Sequence, residues 1–244
     1  YFPFDDSLYD SKNLVQCTFN RDSVAYLPNG LQVGTDIARY DTARIVRGVL
    51  IEEGTENLLT ENQSSVETDL AGFFSINGGV FSRDTTQALS GIASLKIVTP
   101  GVIKSEGVHL DYVNASAGNV YTGSVFLKGN GGTARVVLSA FTSSGEFIAW
   151  SPRGNIVNLN DTWQRSVISW TAPPNTGRIY MYILTTNGTP QALTFYADCM
   201  QIEPRNYPTS WILGGTTRAP ETLTIPTAGI FQKGNWTVER TYTP

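Results

Sequence analysis

The chain has 244 residues, 41% of them hydrophobic and only 16% charged, with a formal net charge of −4 at pH 7. This is the composition of a globular chain, not of a disordered one, and no Lys/Arg cluster supplies the basic stripe with which proteins engage phosphate backbones. No apolar run approaches the roughly 20 residues of a bilayer-spanning helix, so neither nucleic acid nor membrane insertion is expected.

Turn formers and strand formers are both abundant: 23 Gly and 12 Pro beside 11 Tyr, 11 Phe and 5 Trp. Together they predict strands joined by turns. The chain opens on Tyr1, not Met, as expected of a processed chain or a cut piece. Residues 1–56 hold short strand-like runs at 13–19 and 43–51, separated by the turn Leu27-Pro28-Asn29-Gly30. Glu52-Glu53-Gly54 marks the exit. Neighbouring residues of a strand point to opposite faces, so these two acids make a poor pair for glycoside cleavage.

Residues 57–213 are the most regular part. Ser94-Leu95-Lys96-Ile97-Val98 reads as a strand stopped by Pro100-Gly101. In 119–128, Tyr121, Gly123, Val125 and Leu127 share one face, and Thr122, Ser124, Phe126 and Lys128 the other. Further strands are predicted at 134–141, 162–171, 178–185 and 193–202, with turn signals between them. Trp150 falls in an expected loop before Ser151-Pro152-Arg153. No segment has a helical period with caps. The spacing predicts an antiparallel β-sandwich. Residues 214–244 add strand signals at 223–225 and 236–242 that are too short to fold alone. They are expected to pair with 1–56 as a smaller second β unit.

Cys17 and Cys199 are the only cysteines. They form either one disulfide or two small buried side chains, and no CxxC or Cys/His cluster points to zinc. His109 is the only histidine. It alternates with Val108 and Leu110 and so faces away from a core, and no GxSxG motif accompanies it.

An ordered series of segments in 57–212 resembles the galactose-binding-like jelly rolls of carbohydrate-binding modules of the family 4/9 or 6 type. It runs from Asn57-Leu58-Leu59 and Ser65-Val66-Glu67-Thr68-Asp69 through Ser82-Arg83-Asp84, Tyr121-Thr122-Gly123-Ser124-Val125 and Asp161-Thr162-Trp163-Gln164-Arg165. It ends with Phe195-Tyr196-Ala197-Asp198, Gln201-Ile202-Glu203 and Tyr207-Pro208-Thr209-Ser210-Trp211-Ile212. The flanks sharpen the likeness. The stretch 48–59, after Ala38-Arg39-Tyr40, is similar to the leader of bacteriophage minor structural and tail proteins. The stretch 217–227 is similar to their junction with a laminin-G or concanavalin-like sandwich. The resemblance implies an all-β jelly roll over 57–213.

It also implies a structural Ca²⁺ held by Glu67 and Asp198, with Asp69 a weaker third donor, because hard cations take carboxylate and carbonyl oxygens. Sugar binding in such modules sets aromatic faces against the apolar face of a pyranose. The positions that can serve are Tyr180, Tyr182, Phe126 and Trp150, with Gln164 and His109 as polar partners. Tyr180 and Tyr182 share one face of their strand and make a platform if that face is outward. The function implied is a non-catalytic glycan-binding or adhesion module of a phage tail, fibre or appendage, or of a bacterial surface protein. It would be extracellular or on the virion, with a host polysaccharide as partner. Two alternatives stand beside it: a purely structural virion module that contacts other subunits or its own copies, and an ancillary domain of a glycoside hydrolase.

Overall fold

The computed structural model describes residues 18–27, 31–41, 48–186 and 188–224. The elements in chain order are β1 (Thr18–Asn20), β2 (Ala25–Tyr26), β3 (Gln32–Val33), β4 (Arg39–Asp41), β5 (Gly48–Leu50) and β6 (Thr55–Glu56). There follow α1 (Glu61–Ser65), β7 (Phe73–Ile76), β8 (Val80–Asp84), β9 (Ser94–Pro100), β10 (Gly107–Leu110), β11 (Val113–Asn114) and β12 (Val120–Gly129). The remainder are β13 (Thr133–Phe141), β14 (Phe147–Trp150), β15 (Val157–Asn158), β16 (Gln164–Thr171), β17 (Arg178–Thr185), β18 (Ala192–Glu203), β19 (Thr217–Arg218) and β20 (Thr222–Thr224).

The larger compact unit, 55–217, is an antiparallel β-sandwich jelly roll. One sheet runs β14-β13-β17-β10-β7, with β11 and β15 attached to β17 and β13; the other runs β16-β12-β18-β9-β8. Alternation drives the stacking. Val136 and Leu138, with Ile179, Met181 and Ile183, face Val125, Leu127, Phe195 and Ile202 across a buried core. Gly123 lies on that inner face, where a Cβ would press on the Leu138 and Met181 side chains. Asn57 closes the sandwich: its amide donates to the Met200 and Ile212 carbonyls and its Oδ1 accepts from Ile202 N–H. This accounts for the Asn-Leu-Leu opening as a packing device.

One short segment is a helix, although no helical period was expected anywhere in the chain. Thr60 caps α1 in a capping box with Gln63, and Val66 ends it in the left-handed region at φ 58°. Its 5 residues are too few to show a periodic face.

The smaller unit contains the described residues 18–27, 32–41, 48–54 and 218–224. In it β1 pairs antiparallel with β20, Phe19 opposite Leu223. Charge organises its interior. Arg21, Arg39 and Arg218 are fully buried, Glu221 bonds Arg21 at 2.8 Å and Arg39 at 2.6 Å, and Glu52 bonds Arg39 at 2.6 Å and Arg218 at 3.1 Å. The strand signal at 236–242 and residues 13–17, Cys17 included, lie outside the described residues. Cys199 is a buried free thiol.

Candidate functional site: an aromatic sheet face

The outer face of the larger sheet can be assembled from its register. Side chains at every second position of a strand share a face, and antiparallel partners sit side by side. Along β13 the outward set is Arg135, Val137, Ser139 and Phe141; along β17 it is Arg178, Tyr180, Tyr182 and Leu184. The cross-strand rows follow. Phe147, Phe141 and Arg178 form the first; Trp150, Ser139 and Tyr180 the second. Val137, Tyr182, His109 and Phe74 form the third; Arg135, Leu184, Gly107 and Ile76 the fourth.

The middle rows put rings in mutual contact. His109 stacks on Phe74 with centroids 5.1 Å apart and touches Tyr182 at 5.2 Å. Trp150 meets Tyr182 edge-on at 4.7 Å, and Phe141 meets Tyr180 edge-on at 4.8 Å. Phe147 links Phe141 and Trp150, and Tyr112 packs beside Tyr180 under the Arg178 guanidinium, 4.3 Å from the ring centre. The patch is open to solvent at its raised members, with Trp150 49% and Phe74 47% exposed, while Tyr182 is sunk to 6%. Burial pushes the Tyr182 phenol pKa above its ordinary value, so the group stays neutral. A contiguous exposed apolar face of this kind marks a binding surface.

Four of the sequence-derived positions therefore meet: Tyr180, Tyr182, Trp150 and His109. Trp150 is the end of strand β14, where a loop was expected, because the chain folds back after Ser144-Gly145 and pairs with β13. Phe126 and Gln164 belong to the other sheet. Phe126 lies on its outer face beneath the Arg165 guanidinium at 5.3 Å. Gln164 is opposite Leu127 and donates to the Asn158 carbonyl. Neither adjoins the aromatic face. The sequence reading passed over Phe74, Tyr112, Phe141, Phe147, Arg135 and Arg178. The alternation of 134–141 carried a signal for two of them, since Arg135 and Phe141 fall in one set against the aliphatic Ala134, Val136 and Leu138.

The two acids assigned to a cation converge on one loop, 85–93. Glu67 accepts from the N–H groups of Ile92 and Ala93, and Asp198 from those of Leu89 and Ser90. A bulge in β18 sets Asp198 there, with Cys199 at φ 52° donating its N–H to Asp198 Oδ1. Burial pushes the Asp198 pKa up to about 7, against the pull of those N–H bonds, and the nearby Glu67 charge adds to the rise. Two carboxylates close enough to repel, one of them buried, are the donor chemistry a hard cation relieves. Among the described residues no third acid, His or Cys joins them as a ligand group. Asp69 is spent elsewhere, on the Asn62 amide at 2.7 Å and the Ala71 N–H at 2.8 Å. Any further ligand would have to be a neutral oxygen.

No family model and no curated protein matches the chain. Among solved structures it is similar to the N-terminal tandem CBM22 domain of Paenibacillus barcinonensis Xyn10C, at 14% identity and TM-score 0.50, over 65% of this chain and 49% of that one. It is also similar to the CBM22-1 and GH10 modules of Clostridium thermocellum endo-1,4-beta-D-xylanase 10B complexed with xylohexaose, at 18% identity and TM-score 0.46, over 57% and 27%. A third is the enzymatically active domain of tailspike protein 4 of bacteriophage CBA120, at 12% identity and TM-score 0.45, over 60% and 21%. The chain spans about half or less of each of these structures. At such identities the likeness is one of fold: the jelly roll in which carbohydrate-binding modules are built.

Proposed function

We propose that the chain is a non-catalytic glycan-binding module that acts outside the cell, on a virion tail, fibre or appendage or on a bacterial surface protein. The observation that carries the reading is the aromatic face of the larger sheet. Trp150, Phe74 and Tyr180 offer ring surface for the apolar side of a pyranose, while the His109 ring, the neutral Tyr182 phenol and Arg178 stand among them to meet hydroxyls. The resemblance of the 48–59 and 217–227 stretches to phage structural proteins supports the virion setting. A glycan array with the intact chain, followed by calorimetry on the best hits, tests the reading. Binding that is weakened by Trp150→Ala supports it; no glycan bound at millimolar concentration rejects it.

The alternative assembly reading uses the same patch. Exposed Phe147 and Phe74, at 52% and 47%, are what a neighbouring subunit would cover. Solution mass separates the two: a stable oligomer that Phe147→Ser dissociates favours assembly. The ancillary-domain reading places catalysis on another part of a longer chain. We also propose that Glu67 and Asp198 hold calcium. When bound, the ion would neutralise the two carboxylates, the buried Asp198 among them, and fasten loop 85–93 to the last long strand.

A further inference from the structure

The fourth row of the aromatic face ends in a cavity of about 260 Å³ beside Trp150. It adjoins the proposed glycan surface, and its walls are charged with one sign. Arg135 and Arg153 both line it, with Asn77, Ser151 and Leu184, and no carboxylate does. Arg135 is 8% exposed. Among the described residues its guanidinium makes no hydrogen bond and no ion pair. Glu106, just before β10, is committed to the N–H groups of Gly101, Val102 and Ile103.

The Arg135 guanidinium faces this cavity, and a cation beside a like charge favours an anion placed between them. Burial, and then Arg153, lower the Arg135 pKa, so the uncompensated charge is disfavoured there. The guanidinium fork fits a planar carboxylate in two parallel hydrogen bonds. Trp150 at the rim has its ring half exposed, next to the point where such a carboxylate would sit. The cavity is smaller than the roughly 300–1,000 Å³ of pockets that enclose drug-sized ligands, which suits one sugar ring better than a chain.

We propose that this cavity is a subsite for an acidic sugar residue, its carboxylate held by Arg135 and Arg153 and its ring laid against Trp150. The inference rests on the glycan-binding reading and adds the charge of the ligand. A matched pair of probes tests it on the intact chain: oligogalacturonate and the same oligosaccharide after reduction of its carboxyl groups. Calorimetry should show the acid binding roughly 10–100-fold more tightly, the range expected of hydrogen bonds to a charged group. That preference should shrink as salt is raised. Arg135→Gln and, separately, the exposed Arg153→Gln should each reduce it, and the melting temperature of each variant, measured alongside, separates lost binding from lost fold. Equal binding of both probes overturns the acidic subsite and leaves the glycan reading standing. Binding of neither probe, with a silent glycan array, overturns both. Inorganic sulfate binding alone, without the oligosaccharide, also overturns it, because the site would then recognise an anion and no sugar.

Discussion

The buried carboxylate at Asp198 should tie the stability of the jelly roll to pH and, on the calcium proposal, to that ion as well. In the cation-free fold burial holds its pKa up at about 7, against about 3.9 for an ordinary Asp carboxyl. A raised acid pKa means that the folded state binds the proton more tightly than the unfolded chain. Stability from this group is therefore fully present below about pH 4 and lost as pH rises through 7. The shift is about three units. At 1.36 kcal/mol per unit it is worth about 4 kcal/mol between those limits. For a unit of this size each kcal/mol moves Tm by about 2–4 °C, so the whole window corresponds to about 8–16 °C. Calcium that binds only the folded state returns a similar amount, about 4 kcal/mol at a thousandfold excess over Kd. Scanning calorimetry with EDTA at pH 5 and pH 8 should give the higher Tm at pH 5. With calcium the gap should close, chiefly by a rise at pH 8. Asp198→Asn should lose both the pH gap and the calcium response. A Tm in EDTA that does not change from pH 5 to pH 8 would falsify the assignment of the raised pKa, and indifference to calcium would remove the cation.

Other consequences are more local. Trp150→Ala removes exposed ring surface and should weaken glycan binding by about 2 kcal/mol or more, the cost typical of an aromatic anchor, with circular dichroism unchanged; unaltered affinity in calorimetry would take Trp150 out of the site. Tyr182→Ala, by contrast, empties a buried position and should cost about 3–5 kcal/mol of stability, measured by urea unfolding. Gly91 has φ 68°, and a Cβ there would collide with the Glu67 carboxylate, so Gly91→Ala should weaken calcium binding in a titration and cost about 1–3 kcal/mol. Glu221→Gln takes the charged partner from Arg21 and one of two from Arg39 and should destabilise the smaller unit by about 3–5 kcal/mol; proteolysis that spares 18–54 in this variant would show that the ion network does not hold that unit together.

How much of this was legible in the sequence depends on the distance over which each feature is determined. The sandwich was legible because burial on one side imposes a period of two, and Ile179, Met181 and Ile183 against Tyr180 and Tyr182 display it within a single strand. The outward direction of His109 followed from the same rule. Phe126 shows the limit of that rule: alternation puts it outside, yet only the pairing of sheets reveals that its outside is the other face, under Arg165. The ion network of the smaller unit was illegible for a different reason. Arg21 and Glu221 are 200 residues apart, and a buried arginine reads in sequence like a solvated one.

The two candidate sites share a deeper cause of concealment, and it is also what builds them. Each sits where the alternation slips. β14 carries an extra residue opposite Ala140 and Phe141 of β13, so that Phe147 and Trp150, three positions apart, emerge on the same face as Phe141 and Ser139. β18 carries an extra residue opposite Ser124 and Phe126 of β12, so that Ala197 and Met200 both point into the core while Asp198 is held outside it. A strict period of two would have sent one member of each pair to the wrong side. Trp150 would have left the aromatic face, or Met200 the core. A bulge lets one strand satisfy the core on both sides of the slip and still aim a chosen side chain outward. The strained backbone at Cys199 is the local cost of that arrangement. Deleting the extra residue tests this: without Ile148, Phe147 and Trp150 stand two positions apart and plain alternation keeps both beside Phe141 and Ser139, so calorimetry should find the sandwich stable and glycan binding retained, and loss of binding with Tm unchanged would show that the bulge itself shapes the site.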